Sequence, residues 1–382
     1  MKELTRNPAG PAPRNRLRRR SWDDQGDMKD AASSSSRKAP SWLAPLLAVV
    51  LVLALMWALG VTVFRGALED RGLPEEIRGS SNEQLREWEY GAQLKQLGQR
   101  SETLAALAKE AKQETAPTLQ ALHDSLSQAS ALLGELHYED EQPTELATSY
   151  SAEAATRLAN EVLQAGQSVP VNEAEDEAGG ALLARIAFEV SLDARSVLHA
   201  VQEDDARQVP APLGSTEGAG DAPAQPETGA VACLTDRQLL DQQTALPEDT
   251  DLVALHAARA LDRGYALDYV LQVQAARSGA KQAATIEQHR QQLAEHLQDL
   301  RATVPADCPD LRLTAYDLPD GGLEKLPSLA SSLQQEFTTE LLLAVGAAED
   351  QTRQVLGDLV WNVTTEQQDA GKPAQLLAPA KR

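Results

Sequence analysis

The longest apolar stretch of the chain runs from Trp42 to Phe64, 23 residues without a charge and dominated by Leu, Val and Ala. A helix of that length spans roughly 34 Å at about 1.5 Å per residue, against a hydrocarbon core of roughly 30 Å. The pattern predicts a transmembrane helix over 41–64, with Trp42 at one interface and Phe64 at the other. A buried core helix would carry polar positions over such a length. A cleaved leader would have a shorter apolar core followed by a small-x-small site.

Beyond the span the apolar positions recur with helical period. Leu94, Leu97, Leu104, Leu107 and Ala111 fit one stripe, and Leu119, Leu122, Leu126, Ala129, Leu133 and Leu136 a second with heptad steps. Ala147, Ala154, Leu158 and Val162 mark a third helix. Leu183, Ile186, Val190, Val197 and Val201 mark a fourth, with acids crowding its start where the helix dipole favours them. Four amphipathic helices with short turns predict an up-down bundle over 81–204, the alternative being an extended coiled coil paired with another chain. Residues 209–232 then read as a linker: four Pro, four Gly and six Ala in 24 residues, without Lys or Arg. A flexible chain of that length spans about 27 Å.

A second helical unit follows over 233–368. Its stripes are Val253, Ala257, Ala260, Gly264, Leu267 and Leu271, then Ile286, Leu293, Leu297 and Leu300. After a Pro- and Gly-bearing loop from Pro305 to Pro327 come Leu329, Leu333, Phe337 and Ala344, then Val355, Leu359 and Val363. Residues 369–382 read as a frayed tail. The fold class expected is therefore all-α, a single transmembrane helix followed by two bundles. Composition agrees: 14 aromatic residues in 382 are too few to fill the core of a β-sandwich or barrel.

Charge adds topology. The chain carries a net −22, yet residues 1–40 hold ten basic and five acidic side chains. That tail is rich in Pro and Ser and reads as disordered. Basic residues mark the cytoplasmic flank of a span, so the N-terminus is expected inside and the bulk of the chain in an extracytoplasmic compartment. The acidic balance elsewhere argues against nucleic acid as a partner.

The second unit resembles a ferritin-like domain family of unknown function found in bacterial envelope proteins. The residues that carry the likeness are Asp262-Arg263-Gly264-Tyr265-Ala266-Leu267, His289-Arg290, Ala315-Tyr316-Asp317-Leu318-Pro319 and Glu336. The resemblance implies a ferritin-like four-helix domain without an assigned reaction.

Candidate chemistry is sparse. No G-x-S-x-G, G-x-x-x-x-G-K-[ST], H-E-x-x-H or C-x-x-C occurs. A di-iron bundle takes a Glu from each of two helices and Glu-x-x-His from the other two. Here the residues three before the six His are Gln120, Gly134, Ser196, Val253, Ile286 and Leu293, none of them acidic. Glu287 has Arg290 where the His belongs, and Glu349 has Thr352. Asp262, Glu287, Glu336 and Glu349 remain as candidates for a carboxylate-only metal site, and no cofactor is expected. His289 shares a stripe with Ile286 and Leu293 and reads as a core histidine; Glu336 and Glu340 flank a stripe and read as solvated. Cys233 and Cys308 are the two cysteines. Outside the membrane such a pair is expected to form a disulfide, the alternative being two free thiols.

These features favour a membrane-anchored structural or protein-interaction module of the cell envelope, held in the lipid bilayer by residues 42–64. Its expected partner is another protein or a second copy of itself. The alternatives are a ferritin-like metal-binding protein or oxidase, and a small-ligand binding module.

Overall fold

The computed structural model describes residues 81–134, 146–174, 176–201, 209–213, 230–241, 246–247, 249–318, 323–372 and 376–377. The expected span, the basic tail and most of the linker lie outside these residues. Among the described residues no helix is long and apolar enough to cross a membrane. They fall within one compact unit.

Every long element described is an α-helix. In chain order they are α1 (Asn82–Glu110), α2 (Ala116–Leu133), α3 (Ala152–Gln167), α4 (Glu177–Val201), α5 (Leu252–Arg277), α6 (Ala280–Thr303), α7 (Leu326–Ala347) and α8 (Asp350–Asp369). Side chains that satisfy orphan amides set several starts. Ser81 and Gln84 form a capping box on α1, Ser151 caps α3 and Asp251 caps α5. Pro117 and Pro327 sit in the first turns of α2 and α7, where a missing N–H costs little.

Helices α1–α4 enclose one apolar core and α5–α8 a second. The α2 stripe is buried from Leu119 to Leu133. The α1 stripe needs correction. Leu107 is half-buried and Ala111 exposed, whereas Ser101, Ala105 and Ala108 are buried with Leu94, Leu97 and Leu104. The true stripe steps through Ser101, whose hydroxyl donates to the Leu119 carbonyl at 2.8 Å. A polar residue with a backbone partner can occupy a core position.

The two bundles pack on each other through α4, which is apolar on two faces. Leu183, Ile186, Val190, Ala194 and Val197 enter the first core, while Ala184, Phe188 and Leu192 enter the second. At the α4–α7 crossing two glycines let the backbones meet: a Cβ on Gly346 would lie 2.5 Å from the Ala181 nitrogen. Phe188 packs on Trp361 of α8 with ring centroids 6.3 Å apart. Arg195 reaches from α4 to Asp369 at 2.9 Å and to Gln368. Arg353, buried on α8, donates to the Val345 carbonyl at 3.2 Å, to the Ala348 carbonyl and to the Asn172 side chain. It thereby satisfies carbonyls at the end of α7 and ties them to the α3–α4 connection.

Both described ends of the linker are pinned. The Trp361 indole donates to the Val209 carbonyl at 3.1 Å, and the Val231 amide donates to Thr303 at 3.0 Å. Within the segment expected to fray, Leu376 and Leu377 are docked, and Leu377 is only 8% exposed. Two leucines hide more apolar surface against the bundles than solvent would leave them.

Candidate functional site

The segments that carried the family likeness converge in part. Asp262 and Tyr265 lie on α5, one turn apart. The loop after α6 brings Tyr316 over them, and its hydroxyl donates to Asp262 at 3.3 Å. Arg237, in the short 3-10 turn Arg237–Leu240, pairs with the same carboxylate at 3.1 Å. Tyr269 packs on the Tyr316 ring at 6.2 Å, and the Arg312 guanidinium sits 5.0 Å from the centre of the Tyr265 ring.

Two covalent and polar ties hold this loop. The Cys233 and Cys308 sulfurs are 2.10 Å apart with Cα atoms at 5.6 Å, a disulfide that joins the start of the second bundle to the loop. Arg301, in the last turn of α6, donates to the Cys308 carbonyl at 2.8 Å and to Pro305 at 3.3 Å. Between loop and helices lies a crevice with Ala254, Leu261 and Val304 on its apolar wall and Asp262, Tyr265 and Arg312 at its polar mouth. It encloses about 30 Å³, room for a water or a methyl group.

Burial, and then the charge of Asp262, push the Tyr316 phenol up to about 12. Tyr265 is raised by burial, with Asp310 adding and Arg312 and Arg301 opposing. Both phenols therefore stay protonated as hydrogen-bond donors across the physiological range. A carboxylate tied to an arginine beside two neutral phenols suits recognition and stapling better than proton transfer. Asp262→Asn removes the neighbouring charge and should bring the most basic phenol down toward 10, read as a lower midpoint in an ultraviolet pH titration. An unchanged titration would show that the Asp262 charge does not act on Tyr316.

The remaining likeness residues lie elsewhere. Arg290 bridges Asp268 at 2.9 Å and Glu287 at 2.9 Å. His289 is half-buried between α6 and its neighbours, and desolvation lowers its pKa against a hydrogen bond from Gln334. Glu336 pairs with Arg263 at 3.1 Å. Of the four carboxylates considered as metal ligands, Asp262, Glu287 and Glu336 each engage an arginine. Glu349 lies exposed just before α8. The four are not gathered, and among the described residues no three His, Cys, Asp or Glu side chains converge as a metal site.

Glu340 departs from its expected solvated position. It is 3% exposed and bonded to His256 of α5 at 2.7 Å, with Arg185 of α4 close enough to feel its charge. Its place in the sequence carried the signal, since 340 falls on the stripe of Leu333, Phe337 and Ala344 with steps of four and three. No known protein-family model, curated protein or solved structure matches this chain.

Proposed function

We propose that this chain is a single-pass, membrane-anchored helical protein of the bacterial cell envelope whose extracytoplasmic bundles act as a structural or protein-interaction module. The observation that carries the reading is the uncharged 23-residue run flanked on its N-terminal side by ten basic residues. The Cys233–Cys308 pairing supports an oxidising compartment for the second bundle. We read that bundle as ferritin-like on the strength of its four helices and of the two motif segments that meet at Asp262 and Tyr316. The crevice favours a second reading, a binding module for a small envelope ligand.

Topology is the first test. Protease added to intact cells whose surface is open to it should degrade residues 65–382 and spare the N-terminal tail. Protection of the large helical part sinks the proposal. Crosslinking in native membranes followed by purification should then recover a stable partner or a second copy. Recovery of the monomer alone, with a small molecule retained, would favour the second reading.

A further inference from the structure

Beyond α8 the chain returns to the junction of the two bundles. The Leu376 amide donates to Glu189 Oε2 at 2.7 Å, and the Leu377 carbonyl accepts from Gln128 Nε2 at 2.8 Å. Leu377 is buried in the first core, while Leu376 packs against the second. Two adjacent side chains thus enter two different cores. Beneath them on α4, Glu189 and Asp193 lie one turn apart. Facing them from α2 are Asp124, Ser125 and Gln128, and from above the Leu376 amide.

We propose that Leu376–Leu377 is a clasp between the two bundles that opens as the carboxylates beneath it, Glu189 and Asp193, ionise. The seated clasp keeps water from Glu189. Burial pushes that carboxyl up to about 7, with the Asp193 charge adding and the Leu376 amide opposing. Asp193 is raised as well, by burial and by Asp124, against a bond from Ser125. With the clasp lifted, solvent reaches Glu189 and its proton affinity returns toward the ordinary 4.5. The seated form holds the proton more tightly. Its stability is complete below about 4.5 and is lost as pH rises through about 7.

Hydrogen exchange on the full chain tests this. After correction for intrinsic exchange, protection of the Leu376 and Leu377 amides should fall about ten- to seventy-fold from pH 5 to pH 8. Glu189→Gln keeps an acceptor and cannot ionise, so its protection should match at both pH values. Leu377→Ser should leave both amides unprotected throughout, while α5 and α7 stay protected in every variant. The clasp is refuted by wild-type protection that does not change with pH, by a Glu189→Gln protein that declines as wild type does or is unprotected at pH 5, or by full protection in Leu377→Ser.

Discussion

Cys308→Ser, or reduction of the Cys233–Cys308 bond, should lower the unfolding free energy by up to about 4.5 kcal/mol. The bond closes a loop with a sequence separation of 75 residues, and cross-linking removes that loop's freedom from the unfolded chain. Residual structure in the unfolded chain can only reduce the figure. The loop keeps one tie without the bond, because Arg301 still holds the Cys308 carbonyl at 2.8 Å. Loss should therefore show mainly as a lower denaturant midpoint, with the helices retained. Coincident denaturation curves with and without reductant would contradict it, as would thiol labelling of the unreduced, denatured protein.

Gly346→Val should cost about 3 kcal/mol or more, at the upper end of overpacking changes. Its Cβ would lie 2.5 Å from the Ala181 nitrogen, 2.6 Å from the Ala181 Cα and 2.9 Å from the Gly180 carbonyl carbon. All three are backbone atoms of α4 and cannot rotate aside. The bundles would have to separate at this crossing, so unfolding should split from one transition into two. Gly264→Ala offers the contrast. Its Cβ would meet the flexible end of Leu297 at 2.3 Å, which can move, so a smaller loss is expected. Gly279→Ala meets nothing within 4 Å and should stay within about 0.5 kcal/mol of wild type. Equal losses at Gly346 and Gly279 would show that the α4–α7 approach is not close in solution.

Helix positions in this chain were legible because burial of one apolar stripe and the capping of end amides are local properties. Ser81, Ser151 and Asp251 each announce a helix within three residues of the amide they satisfy. The heptad steps from Leu119 to Leu133 needed no knowledge of what they pack against. The α1 stripe was misjudged at Ser101, and Glu340 was misjudged on α7, for one reason. A polar residue on an apolar stripe is acceptable only when a distant partner satisfies it, here the Leu119 carbonyl and His256. Their partners lie 18 and 84 residues away, beyond the reach of any local pattern.

The sequence by itself determined that the chain is helical, that a 23-residue uncharged run precedes its helical part, and that two cysteines bracket the start of its second bundle. Each follows from hydropathy, periodicity or composition over a short window. Only the tertiary structure decided that α4 belongs to both cores, that Gly180 and Gly346 let two backbones touch, and that Leu376 and Leu377 return to the junction. A second apolar face on one helix has no unique addressee until other helices are placed against it. A glycine gives no sign of its neighbour, because what it contributes is the absence of a Cβ at a contact made by residues far along the chain.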